Sequence, residues 1–240
     1  MKTLVVSILT LALLGASVTQ DRDQALEDTV WAKLKSEKLD KQVAEVVAID
    51  GNVILRGKPS NAFMKMKAIE AALSVEGVNG VEDELDVASA ESQEEFVKDL
   101  VSAVLSYARF TVFDDVGFQI EEEGIVVLTG YVTEPIKKTE LGERVGKVTG
   151  VRELKNVIEV LPVGGNDERL RQTLYRNIYG DQLFTQYRNR AHPPIRIIVN
   201  HGQVMLGGAV RNRMEQLKAE TIARSTFGVL GVDNRLQINP

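Results

Sequence analysis

Three stretches of the chain carry nearly the same pattern of apolar and polar positions. They are Asp50-Gly51-Asn52-Val53-Ile54-Leu55-Arg56-Gly57, Glu123-Gly124-Ile125-Val126-Val127-Leu128-Thr129-Gly130 and His201-Gly202-Gln203-Val204-Met205-Leu206-Gly207-Gly208. In each, a turn glycine is followed by Val-x-Leu-x-Gly, the period of a strand with one buried face. Twenty residues after the last glycine stands a Gly-Val pair: Gly77-Val78, Gly150-Val151 and Gly228-Val229. Four residues beyond those glycines lie Val81, Leu154 and Val232, and ten beyond lie Val87, Val160 and Ile238. An internal repeat in constant register is the signature of one structural unit built several times.

The elements of one unit follow from the pattern. Apolar runs Val43–Ile49, Val116–Ile120 and Ile195–Val199 precede the turns and form the first arm of a hairpin; Asp50-Gly51 is a strong tight-turn dipeptide. Residues 60–74, 133–148 and 211–226 have helical composition and spacing, and Gly77, Gly150 and Gly228 stand where a left-handed residue ends a helix. The Val-rich segment after each is a third strand, parallel to the second because such crossovers are right-handed. Each unit opens with an amphipathic helix, marked by Leu26/Val30/Leu34, Phe96/Leu100/Val104 and Leu170/Leu174/Ile178. The expected fold is α+β: three tandem αββαβ modules over residues 23–88, 94–161 and 167–239, each a small mixed three-stranded sheet with two helices on one face. Linkers are expected at residues 88–92 and 162–166.

The N-terminus reads differently. Met1-Lys2 precedes the apolar run Leu4–Leu14 and the small residues Gly15-Ala16-Ser17-Val18-Thr19. That is the pattern of a secretory signal peptide over 1–19, cut after Ala16, Ser17 or Thr19; an uncleaved anchor or a buried first helix are the alternatives. The run is too short to span a bilayer, and no later stretch approaches the ~20 apolar residues a span needs. The chain has no cysteine, so an exported protein of this sequence has no disulfide and no lipoprotein anchor. The expected location is the periplasm.

These tandem units, with Gly51, Gly57 and Gly77 spacing, resemble BON domains, the bacterial osmotically induced periplasmic protein and nodulation module, over nearly the whole chain after residue 22. The resemblance implies a non-catalytic periplasmic protein that contacts phospholipid or envelope proteins and supports tolerance of osmotic or envelope stress. A protein-docking scaffold, or an ion- or small-ligand-sensing module, are the other readings it leaves open. Gly57, Gly130 and Gly208 match the family pattern and read, with Gly51, Gly77, Gly124, Gly150, Gly202 and Gly228, as backbone determinants. The sequence departs from the pattern at His192-Pro193-Pro194, which lengthens the way into the third hairpin, and in having three modules.

No catalytic chemistry is expected. There are two histidines, His192 in a loop and His201 at a hairpin turn, and no phosphate-binding or dinucleotide glycine motif. Neither cofactor nor metal is expected. Asp114-Asp115 and Glu121-Glu122-Glu123 lack calcium-loop spacing and read as a solvated hairpin end. Charge says more. Residues 20–90 hold 9 basic and 14 acidic side chains, residues 91–163 hold 8 and 14, and residues 167–240 hold 11 and 6. Ten of those eleven are arginine, whose planar fork suits phosphate oxygens. Arg171, Arg176, Arg188 and Arg190 interleave with Tyr175, Tyr179, Phe184 and Tyr187, a composition favoured at membrane interfaces. These eight are the expected contact with an anionic phospholipid surface or envelope protein; pairing of the arginines with the acidic modules, or no special role, are the alternatives. Nucleic acid is not an expected partner of an exported acidic chain. Ile54, Val127 and Met205 point away from the Val-x-Leu face, so a neighbouring module or a partner is expected to cover them.

Overall fold

A computed structural model describes residues 9–162, 164–188, 190 and 193–239, with side chains from residue 20 onward. Residues 1–8 of the expected signal peptide, and His192, lie outside the described residues. The elements are α1 (Leu9–Ser36), β1 (Glu45–Ile49), β2 (Asn52–Gly57), α2 (Ala62–Leu73), β3 (Gly80–Leu85), α3 (Gln93–Leu105), β4 (Asp115–Ile120), β5 (Ile125–Val132), α4 (Pro135–Gly146), β6 (Glu153–Asn156), β7 (Glu159–Val160), α5 (Gly165–Gly180), α6 (Thr185–Arg188), β8 (Ile195–Asn200), β9 (Gln203–Val210), α7 (Arg213–Ser225), β10 (Gly231–Asn234) and β11 (Gln237–Ile238). The fold is α+β, with one αββαβ pattern repeated three times. Packing divides it into two compact units, residues up to 96 with 146–153, and residues 97–145 with 154–240. Among the described residues no helix is long and apolar enough to cross a membrane.

In the first unit β1 and β2 form the predicted hairpin, antiparallel with Ile49 opposite Asn52. The turn between them places Asp50 at φ 51° and Gly51 at φ 81°. Positive φ at both central residues is what a two-residue hairpin loop of matching twist requires. β3 lies parallel to β2 in register Val53 to Val81. Val53 and Leu55 are fully buried while Ile54 is half-exposed, so the period-two pattern sets which face is core. Val30 and Leu34 of α1 and Ala68, Ala71 and Ala72 of α2 close that core. The unit also holds residues 146–153, which sit on the start of α2. The Ala62 amide donates to Val151 O at 2.8 Å and Asn61 Nδ2 to Lys147 O at 3.1 Å. Lys147 Nζ stands 4.3 Å from the centre of the Phe63 ring, and Arg152 pairs with Asp86 at 2.8 Å.

The second unit contains two sheets. One has β4, β5 and β6 in that order, with β7 also on β5; the other centres on β9, antiparallel to β8 and parallel to β10 and β11. The residues predicted ten positions after the glycine of the Gly-Val pair, Val160 and Ile238, thus form short extra strand segments. The hairpin of β4 and β5 is one residue longer than the other two, with Glu123 at φ 59° and Gly124 at φ 76°. The long connection into β8 contains α6 and a preceding helical turn, which supply Phe184 and Tyr187 to the core of the third module. At Gly208, φ is 98°, and an added Cβ would collide with Pro194 O. Backbone in that region is strained for any side chain, and here there is also no space.

Residues 112–115 lie against the third sheet within the unit, Val112 and Phe113 on its main core and Asp115 on its far face. Ile198 is 3% exposed although it points away from the main core. Val112 and Phe113 pack against the third module, and the Ile197 amide donates to Val112 O at 2.7 Å. Asp115 faces Arg196 at 3.4 Å, and an added Cβ at Gly207 would lie 2.7 Å from its Oδ2. Asp115 of the second module thus stands over this face at Gly207, while Met205 itself stays partly exposed.

Replacing Gly208 by Ala is expected to destabilise the chain by at least about 1–3 kcal/mol, whereas Gly180→Ala, where nothing lies within 4 Å, is neutral or slightly stabilising. Paired thermal melts check this.

Candidate interaction surface

The eight residues expected at a phospholipid contact separate into two groups. Arg171, Tyr179, Phe184 and Tyr187 are each 2% exposed or less and belong to the interior of the third module. Arg171 Nη2 donates to Val199 O at 2.8 Å and Nη1 to Glu168 at 3.3 Å, while its Nε has no partner. The Tyr179 hydroxyl donates to Ile195 O at 2.6 Å and accepts from the Ile195 amide at 3.1 Å. Tyr187 lies 6.3 Å from Phe184, ring centre to ring centre, and its hydroxyl donates to Glu215 at 2.6 Å. Burial raises both phenol pKa values, and the Glu215 carboxylate adds to the effect at Tyr187. These four cannot touch a bilayer. The physical reason is helical period: on α5 the buried positions are 167, 170, 171, 174, 178 and 179, so sequence interleaving of Arg and Tyr does not place them on one face.

The other group is accessible. Arg176, Arg188 and Arg190 are exposed and Tyr175 is half-buried, edge-on to Phe113 at 6.2 Å. Arg190 caps the Tyr187 ring at 5.1 Å, and Arg176 Nη2 reaches Thr173 Oγ1 at 3.3 Å. None of these three arginines, nor Arg169 on α5, makes an ion pair among the described residues. Pairing with the acidic hairpin end takes a narrower form than expected, through Asp115 and Arg196, while Glu121 pairs with Lys155 at 3.0 Å.

Asp114 and Asp115 are not a solvated hairpin end. Asp114 is fully buried. Its carboxylate accepts from the Thr111 and Thr133 amides and hydroxyls at 2.8–3.0 Å and from Lys137 Nζ at 2.8 Å, with Lys137 itself 1% exposed. Burial pushes the Asp114 pKa up, but Lys137 and the threonine donors outweigh it and hold the group below the ordinary carboxylate range. Burial dominates at Asp115 and raises its pKa, partly offset by Arg196 and Arg235.

Sequence reasoning also missed Glu215. It is 0% exposed and accepts from Tyr187, from the Arg211 amide at 2.9 Å and from the Arg211 guanidinium at 2.6–2.9 Å. Burial raises its pKa, but those donors win and the net shift is downward. The spacing Asn212-Arg213-Met214-Glu215 is a capping-box signal, and Asn212 Oδ1 does accept from the Glu215 amide at 2.9 Å. Lys137 and Glu215 both lie seven residues after the second glycine of their repeats. The modules thus bury opposite charges at one position.

The family model for the BON domain matches residues 22–89, 97–162 and 166–240. No curated protein sequence matches the chain. Among solved structures, the C-terminal domain of CdsD, a structural protein of the type III secretion system of Chlamydia trachomatis, is similar at 15% identity, covering 90% of this chain and 98% of that one with a TM-score of 0.25. A second CdsD structure covers 90% and 93% at 14% identity and the same TM-score. At that TM-score the likeness carries no weight for function.

A buried charge left without its partner costs about 3–5 kcal/mol, so Asp114→Asn is expected to destabilise the protein by that order at neutral pH. The wild-type contribution is fully present above the unfolded carboxylate pKa of about 3.9 and is lost as pH falls through the lower folded value. Urea titrations across acidic pH should therefore show a shallower loss of stability in Asp114→Asn than in wild type.

Proposed function

The chain belongs to the BON domain family, and on that footing we propose that it is a non-catalytic periplasmic binding protein that contacts anionic phospholipid surfaces of the envelope. BON domains are non-catalytic, envelope-associated modules, which supports the first part. The observation that carries the lipid contact is the group of exposed guanidinium side chains, Arg176, Arg188 and Arg190, free of carboxylate partners among the described residues on the one module with a net positive charge. Headgroup phosphates offer them charge-assisted hydrogen bonds. Each basic group near such a surface contributes about 1 kcal/mol, a sum that salt screens. Tyr175, partly exposed on the same module, adds an amphipathic ring suited to the interface.

In this reading residues 1–19 are the signal peptide that delivers the chain, and residues 23–88, 94–161 and 167–239 are the folding modules. The first two modules, both acidic, offer no comparable excess of basic side chains. Support for osmotic or envelope stress tolerance follows the family resemblance.

Co-sedimentation with vesicles tests this. Binding is expected to phosphatidylglycerol-containing vesicles at low salt, to fall at high salt, and to be absent with phosphatidylcholine alone. Arg176→Glu, Arg188→Glu and Arg190→Glu together should weaken it by ~100-fold or more. No binding at low salt, or unchanged binding by the triple variant, would overturn the reading.

A further inference from the structure

The repeat exposes a docking element used once and left open once. In the first unit the loop around Gly150 seats on the start of α2, where the Ala62 amide and Asn61 Nδ2 donate to Val151 O and Lys147 O. The Gly150 loop forms a tip and the Asn61-Ala62-Phe63 helix start a socket. Both recur at constant offset. The tip positions of the third module are Ser225 to Leu230, and its socket is Asn212-Arg213-Met214. In the second module the first helical residue is Pro135, which has no amide proton and cannot act as this kind of socket.

The third tip and third socket are both open. Asn61 is 8% exposed under its tip, whereas Asn212 and Arg213 are exposed. Neither the Arg213 amide nor Asn212 Nδ2 has a partner among the described residues. Phe227 is 100% exposed and Leu230 74%, far more than large apolar side chains usually are. The chemistry of the two surfaces has changed together. In the first pair, Arg152 of the tip meets Asp86, and Lys147 lies over Phe63. At the matching positions the third module has Leu230 and Ser225 on the tip, Met214 at 63% exposure on the socket, and uncharged Gln237. Leu217, on the next turn after Met214, is 47% exposed. The charged side chains of the first contact, Arg152, Lys147 and Asp86, are thus replaced by uncharged ones, the apolar Leu230 among them, while Arg213 stands where Ala62 does. Tip and socket stand at opposite ends of α7, so one chain cannot join its own.

We propose that the third module docks on a second copy of this chain, the Phe227–Leu230 tip of one copy seating on the Asn212–Met214 helix start of the next. The Arg213 amide donates to Val229 O, as Ala62 does to Val151 O, and Phe227 and Leu230 bury against Met214 and Leu217. Such a contact is heterologous, so it closes a ring or grows an open chain. The proposal does not depend on the lipid reading.

Sedimentation velocity of the exported chain from micromolar to millimolar concentration tests it. Wild type is expected to self-associate reversibly. Phe227→Ser with Leu230→Ser removes the tip, and Arg213→Pro removes the socket amide while keeping a residue the helix tolerates there. Each alone should raise the dissociation constant at least about tenfold, with circular dichroism melts unchanged. Mixed together, one intact tip and one intact socket should form a dimer and nothing larger. Wild type that stays monomeric at every concentration, or association that neither variant weakens, overturns the proposal. So does a wild-type monomer whose vesicle binding is lost with Phe227 and Leu230, since the tip then faces the bilayer.

Discussion

Burial of alternate side chains on one central strand is the constraint from which the rest of each module follows. Val53 and Leu55, Val126 and Leu128, and Val204 and Leu206 are all 2% exposed or less. A register slip of one residue would turn each pair to the other face. Two devices prevent it. The hairpin turn fixes which residues oppose each other, and at Gly130 and Gly208 the strand passes too close to the start of its neighbour for any side chain. With the central strand pinned, a helix of fixed length carries the chain over the apolar face to a parallel partner. That fixed crossover is why the second glycine and the Gly-Val pair keep one spacing.

Most of this was legible in the sequence because it is periodic. Strand alternation, helical stripes and turn glycines are local signals, and threefold recurrence separates them from chance. The candidate surface was less legible for a definite reason. Arg and Tyr are amphipathic, and composition does not say whether the polar tip finds water or a partner inside. Tyr179 finds the backbone of Ile195, Arg171 the carbonyl of Val199, and Tyr187 the carboxylate of Glu215. Arg176, with the same neighbours in sequence, faces solvent because it lies two to three residues away from the buried stripe of α5. Asp114 was misread for a related reason. Its partner Lys137 is distant in sequence and lies in the helix after the hairpin, and only the fold brings the pair together.

The copies differ where charge is handled. A buried lysine at one repeat position becomes a buried glutamate at the next, each with its own set of donors or acceptors. A tip that carries Arg152 in one copy carries Leu230 in another. A proline replaces an amide donor in the second copy. The shared scaffold absorbs these changes because the core pattern beneath them does not vary. Divergence on the surface then gives each module a separate set of contacts without altering how it folds.

Amide hydrogen exchange by mass spectrometry tests the threefold scaffold most directly. Slow exchange is expected in three separate blocks, Asn52–Gly57, Ile125–Val132 and Gln203–Val210, with fast exchange at the 123–124 turn and slower exchange at residues 201–202, whose amides donate to Asp167. Fast exchange throughout any one of these central strands, or protection running unbroken across the 123–124 turn, would contradict the account.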